Sequence, residues 1–394
     1  EAQRWYRQAV RDFQKSEGGL LARIRLVEIT GEVQGENFPL EVYRALQSRL
    51  NRVSPGSTEE AMYREARARF LRNEFSKANE KLLQLQDEFP NAFLLKHDTG
   101  LIGRVRLALM EELSEQGRYA EVAEAFRLTD PLIDQKAEGA RTLYLGGVAL
   151  NHLSLHRQAV DAFQRALNTA EVRLDKGSEE EVLVALSRSY LGTLDLFRAR
   201  QTLDYQAALY AKGKHSGTLW TLRGEIEEAA KRPDKAVEAY RVAVKRVLEP
   251  MARAELYVHI ARLESDRGAP AGAATALARA LETIEKVGPA DPPPLLVDAT
   301  FRLGDAHYRL RNWRQAAQAY DKGIQIVDAK DRRAPMAHYR IGAIRAILGD
   351  LAGALQDWSA LSGRGSGLWH VMAKAAAVDL TWRIRHDGLL SDGR

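Results

Sequence analysis

Residues 301–326, FRLGDAHYRLRNWRQAAQAYDKGIQI, limit the possible folds more than any other stretch of the chain. Apolar and small residues recur at helical spacing on both sides of a short polar break. Leu303, Gly304, His307 and Tyr308 precede the break, and Trp313, Ala316, Ala317, Tyr320 and Gly323 follow it. Such a pattern reads as two amphipathic helices joined by a tight turn. Gly304 and Ala316 are small enough to let two antiparallel helices approach where they cross, while Leu303, Tyr308 and Tyr320 fill the space beside the crossing. One hairpin of this kind cannot cover its own apolar stripe, so it requires neighbours.

The neighbours are legible along almost the whole sequence. The residue that opens each second helix is Val42, Ala78, Val122, Ala159, Ala199, Ala236, Ala273, Ala316 and Ala354, in steps of 36, 44, 37, 40, 37, 37, 43 and 38. Residues 1–16 carry Ala2, Tyr6 and Ala9 at second-helix spacing, so the chain is expected to open halfway through a unit. Residues 17–362 then hold about nine helix pairs, a count that follows from the repeat steps. The GPADPPP stretch at 288–294 cannot be helical and is a candidate hinge. Residues 363–367, GRGSG, break the pattern, and one amphipathic helix follows over 368–386 with Trp369, Met372, Ala376, Leu380 and Ile384. That helix is placed to cap the last apolar face. Trp382 is expected to pack on the preceding repeat, and the tail to fray after Asp387.

The order Leu303-Gly304, Tyr308, Ala316, Tyr320 resembles the tetratricopeptide repeat, a helix–turn–helix unit of about 34 residues. The wording AMYREARARFLRNEFSKANEKLLQLQDEFPNA within 59–92 also resembles repeats of periplasmic envelope proteins, among them outer-membrane assembly lipoproteins and the accessory protein of the Tol–Pal system. The resemblance implies an all-α, right-handed solenoid of helix–turn–helix repeats closed by a C-terminal capping helix. It also implies that the first helix of each pair lines a concave groove for a partner protein or peptide. Transferred onto this sequence, the groove positions are Tyr63, Arg67, Phe70, Tyr144, Asn151, Arg188, Arg262, Asp305, Tyr308, Arg309 and Tyr339. Tyrosine and arginine are enriched at interface hot spots, although each of these side chains could equally pack against the next repeat. The paired Asn/Lys carboxylate clamp of chaperone-binding members is missing, since Asn151 stands alone.

Composition narrows the chemistry. No run of apolar residues is long enough for a membrane-spanning helix. The chain has no cysteine, which excludes disulfides, thiolate metal sites and cysteine nucleophiles. The net charge of +5 arises within 311–394, where thirteen Lys/Arg face eight Asp/Glu. Of the nine histidines only His152 and His156 are four apart, and they straddle an expected turn without a nearby carboxylate, so no metal site is expected. The GRGSG stretch lacks the Lys-Ser/Thr of a phosphate loop, and no nucleophile elbow occurs. No catalytic residue and no cofactor is expected.

The first functional reading is a non-catalytic interaction scaffold in a periplasmic or envelope-associated bacterial complex for secretion, surface-polymer export or motility. Absent cysteine and the envelope-like repeat favour it. A cytoplasmic regulatory module for a peptide or small ligand is the second. A polyanion or polysaccharide binder using Arg309, Arg340 and Arg345 is the third. Nucleic acid is not favoured, because Arg64, Arg67, Arg69 and Arg72 point around their helix and interleave with Glu65 and Glu74. Under all three readings circular dichroism is expected to show an almost wholly helical spectrum. A substantial strand component would refute the fold.

Overall fold

The computed structural model describes residues 1–34, 40–53, 55–92, 99–129, 137–169, 176–210, 213, 215–288, 293–328 and 330–391. Twenty helices and no strand occur among them. Helix α1 (Ala2–Asp12) precedes nine successive pairs. These are α2 (Glu17–Gln34) and α3 (Leu40–Val53), α4 (Pro55–Leu71) and α5 (Phe75–Glu88), α6 (Thr99–Glu115) and α7 (Tyr119–Thr129). Next come α8 (Ala137–His152) and α9 (His156–Asn168), α10 (Lys176–Gly192) and α11 (Leu196–Leu209), α12 (Ser216–Ala229) and α13 (Pro233–Ala243). The last three pairs are α14 (Pro250–Asp266) and α15 (Pro270–Val287), α16 (Pro294–Arg309) and α17 (Trp313–Gln325), and α18 (Ala334–Ile347) and α19 (Leu351–Ser362). Helix α20 (Leu368–Ser391) closes the series. The described residues group into two compact units, 1–206 and 207–394, with the division inside α11.

Eight of the nine pairs share one turn. Asn73, Gly117, Ser154, Leu194, Lys231, Gly268, Arg311 and Gly349 each adopt positive φ, between 57° and 89°. In every case the following N–H donates to the carbonyl five residues before it, at 2.8–2.9 Å, as from Asn312 to His307 and from Asp350 to Arg345. That bond and the left-handed residue define a Schellman ending of the first helix. The second helix starts two residues after the left-handed residue, and the small residue read from the sequence falls five after it: Ala78, Val122, Ala159, Ala199, Ala236, Ala273, Ala316 and Ala354. All eight of these are buried. The turn of the first pair lies in 35–39, outside the described residues, as does the side chain of Val42.

Six of the nine hairpins also share a packing match, which differs in detail from the sequence reading. Gly304 makes room for the ring of Tyr320, sixteen residues later, rather than for Ala316. A Cβ at Gly304 would lie 2.6 Å from that ring. The same offset joins Gly147 to Phe163, Gly224 to Tyr240 and Gly342 to Trp358, each with a comparable clash for an added Cβ. Where the second-helix partner is the leucine of Leu82 or Leu277, the first helix carries Ala66 or Ala261 instead. A large side chain on the second helix is thus matched to a missing one on the first, which is how interiors reach high density without strain.

In the second unit the last repeat is covered as expected. Ala373 and Leu380 of α20 pack with Ala354, Trp358 and Leu361 of α19, and the Trp369 ring sits 5.5 Å from that of Tyr339. Trp382, by contrast, is exposed and stacks on His386 of its own helix at 4.7 Å. The helix also runs to Ser391 rather than fraying after Asp387. Of the candidate hinge at 288–294, residues 289–292 lie outside the described residues; Gly288 ends α15 in the left-handed conformation.

Gly304→Ala is expected to lower unfolding stability by about 1–3 kcal/mol, because the Tyr320 ring must move. Gly103→Ala serves as the control. No heavy atom lies within 4 Å of its new Cβ, so that change is expected to raise stability by roughly 0.5–1 kcal/mol. Urea midpoints of the two variants check both signs.

Candidate functional site

The first helices of successive pairs are tied to one another by polar side chains. Arg25 of α2 meets Glu60 of α4 at 2.9 Å, and Arg141 of α8 meets Glu111 of α6 at 3.3 Å. Asn151 of α8 donates to the Ser189 hydroxyl of α10 at 2.8 Å. In the second unit Glu228 of α12 pairs with Arg262 of α14, and Asp305 of α16 pairs with Arg340 of α18. These ties run from first helix to next first helix, so they fix how one hairpin sits on another.

The two ties of the second unit have a common construction. Tyr320, buried beside Gly304, donates its hydroxyl to Asp305 at 2.7 Å, and Arg340 donates to the same hydroxyl and carboxylate. Tyr240, buried beside Gly224, donates to Glu228 at 3.3 Å, and Arg262 donates to that carboxylate. Burial pushes both phenols upward, and the adjacent carboxylates push them further, so they remain neutral donors. For Arg340, burial lowers the guanidinium pKa, but the Asp305 charge and Tyr320 outweigh it and the net direction is up. Arg340 also lies over the Tyr308 ring at 5.1 Å, a cation–π contact that Trp313 supports edge-on from 5.3 Å.

In the first unit Glu65 of α4 is fully buried and gathers donors from its own helix and from the second helices α3 and α5. It accepts from Arg69 at 2.6 and 2.9 Å, from Gln47 of α3 at 2.7 Å and from Arg44 at 3.3 Å, with Lys81 of α5 at 3.4 Å. Burial alone would raise its pKa, but the bonds from Gln47 and Arg69 and the Lys81 charge carry it below the usual glutamate value. Arg106 of α6 is likewise buried, bonded to Gln86, Asn79 and the Leu128 carbonyl. Sequence reasoning left Arg106 unremarked and read Glu65 and Arg69 as part of a solvated face of interleaved charges, whereas both are buried. The signal available was a charged residue inside an apolar column, as at Arg106 between Val105 and Leu109.

The eleven expected groove residues therefore divide. Tyr63 is buried in the core of α4–α6, and Phe70 packs on Phe75 at 5.8 Å. Asn151, Arg262, Asp305 and Tyr308 belong to the ties between first helices. Tyr144 is half-buried under Arg141, with 5.4 Å from guanidinium to ring centre. Tyr339 stacks on Trp358 at 6.0 Å. Arg67, Arg188 and Arg309 are exposed. The structure thus brings Asp305 and Tyr308 together around Arg340 and leaves the three exposed arginines distributed over separate repeats. His152 and His156 do not converge: His152 stacks on Tyr119 at 3.7 Å, whereas His156 bonds Asn151 at 3.0 Å. Of the other arginines considered for polyanion binding, Arg345 is paired with Asp357 at 3.0 Å.

The family model described as tetratricopeptide repeat matches residues 60–92 and 298–322, which are most of α4, with α5 and the turn after it, and most of α16–α17. Among solved structures, the apo form of RapI is similar at 13% identity and a TM-score of 0.47, covering 83% of this chain and 98% of that one. A signal-transduction ATPase from Pyrococcus horikoshii with a tetratricopeptide repeat sensor is similar at 12% identity and a TM-score of 0.46, over 87% of this chain and 49% of its own. PilF of Pseudomonas aeruginosa is similar at 15% identity and a TM-score of 0.40, over 60% and 97%. No curated protein sequence matches the chain.

The depressed pKa of Glu65 sets a pH dependence. A carboxylate whose pKa is lower folded than unfolded contributes stability above the unfolded value, about 4.3, and that contribution is lost as pH falls through the folded value. Glu65→Gln is expected to cost about 1–3 kcal/mol at pH 7, the range for a hydrogen-bonded charged group. The gap to the parent should narrow as pH is lowered towards 3 in urea titrations. A gap independent of pH would show that the Glu65 charge contributes nothing.

Proposed function

Since this chain carries tetratricopeptide repeats within an all-helical series of hairpins, we propose that it is a non-catalytic scaffold holding a partner protein or peptide against its first helices. Repeats of this family generally act as such scaffolds, because stacked hairpins offer extended surface rather than an enclosed pocket. The observation that carries the reading is the division just described. Within each unit, ties between first helices hold those helices in place, while Arg67 and Arg188 of the first unit and Arg309 of the second leave exposed guanidinium groups with no ion pair to another described residue. Half-buried Tyr144 and Tyr308 supply aromatic edges on first helices of the first and second units respectively. On this reading Asp305, Asn151 and Arg262 are positioning residues, and the arginines with Tyr144 and Tyr308 meet the partner.

We place this scaffold in a bacterial cell-envelope complex. The cysteine-free composition and the envelope-type wording of residues 59–92 support that placement. The polyanion alternative has less to rest on, since Arg340 and Arg345 are both occupied by carboxylates.

A photo-activated cross-linking amino acid at position 309 in the source cell is expected to trap a discrete partner, and one at position 188 the same partner. Position 314, exposed on the second helix α17, is expected to trap none. Trapping at 314 but not at 309 or 188 would move the site off the first helices. A trapped partner confined to the cytoplasm would overturn the envelope placement alone.

A further inference from the structure

At the start of the chain, α1, α2 and α3 enclose a groove of about 1080 Å3. That exceeds the roughly 300–1,000 Å3 of small-molecule sites and is open enough for a segment of chain. Its cationic lining is Arg7, Arg11, Lys15, Arg23 and Arg49, and no carboxylate lines it among the described residues. Its apolar lining is Val10, Leu20, Leu26 and Val27. All five cations are exposed and make no ion pair with another described residue. Nearby cations do find acids: Arg25 pairs with Glu60 and Arg44 with Glu65. Five described cations without an ion pair to another described residue therefore converge on this groove.

The groove is built by the α1–α2 turn. Ser16 donates to the Phe13 carbonyl at 3.0 Å and accepts from the Gly19 N–H at 3.2 Å. A Cβ at Gly19 would lie 1.8 Å from the Phe13 carbonyl oxygen, so only glycine lets α2 start this close to α1.

We propose that this groove docks an acidic amphipathic helix of a partner protein. Arg7 and Arg11 stand one helical turn apart, the spacing at which a facing helix presents carboxylates from residues four apart. The aliphatic residues between them and Arg23 suit the leucine stripe of such a helix, which would lie in the groove as amphipathic helices do in other hydrophobic grooves. Among the described residues the lining holds no aromatic ring on which a base could stack, which favours a peptide over single-stranded nucleic acid. Although α2 is itself a first helix, none of the lining residues is among those assigned to the partner above, so the proposal does not depend on that reading.

The test is fluorescence anisotropy with the full chain and a labelled designed peptide of about 20 residues, above the length of about 12–15 residues below which isolated helices are marginal in water. The peptide carries Glu pairs four apart and a leucine stripe. Binding is expected, with affinity reduced at least about tenfold by Arg7→Glu/Arg11→Glu and, on the opposite wall, by Arg23→Glu/Arg49→Glu. Circular dichroism verifies that each variant is folded, and either pair suffices if the other does not fold. Replacing leucine by glutamine in the peptide is expected to cost a similar factor, whereas Arg309→Glu in the protein should change nothing. Unaltered affinity in both charge-reversed pairs would overturn the proposal. So would equal binding of the glutamine peptide or of an oligothymidylate of equal charge, since the groove would then be a bare polyanion surface. Concentration-dependent self-association that the peptide displaces would assign the groove to a second copy and overturn it as well.

Discussion

The structure depends on how closely the backbone of one helix can approach a ring on the next. In the hairpins built on Gly147, Gly224, Gly304 and Gly342 the first helix gives up a side chain where the second supplies Phe163, Tyr240, Tyr320 or Trp358. That contact can form only if the turn delivers the second helix at a fixed rotation. The left-handed residue and its Schellman bond do this at Ser154, Lys231, Arg311 and Gly349. Four of the eight left-handed positions lack both glycine and asparagine, the residues that tolerate this conformation best. The packing gained by holding the turn therefore exceeds the backbone strain it imposes.

The same geometry places the polar chemistry. Tyr240 and Tyr320 are seated deeply by their glycines, and their hydroxyls emerge beside Glu228 and Asp305. Each carboxylate then accepts from an arginine of the following repeat. Packing within a repeat and recognition between repeats thus share one side chain, the tyrosine, which is apolar along its ring and a neutral donor at its tip.

Much of the fold was legible because the sequence repeats its small residues. Ala78 to Ala354 carry the register, and the turn geometry agrees with it at each of the eight described turns. The site was less legible for a physical reason. Periodicity places Arg262, Arg309 and Asp305 on one helix face, but which of them is spent on a neighbour depends on a partner some thirty-five residues away, across joints of unequal length. Asp305 meets Arg340 and Arg262 meets Glu228, while Arg309 meets no described partner, and nothing local distinguishes the three. Trp382 escaped for a related reason: α20 has apolar residues on more than one side, and a hydrophobic pattern alone does not say which side is covered.

The division of labour between contacts has a consequence for how such a chain can change over generations. The glycine–aromatic match lies wholly inside one hairpin, so a duplicated or deleted hairpin carries its match with it. The ties, such as Glu228–Arg262 and Asp305–Arg340, span a junction and are broken or re-formed by such an event. Length can therefore change by whole hairpins without disturbing any glycine–aromatic match, and the cost falls on the junctions, where charged pairs and the apolar contacts between hairpins must both be re-formed.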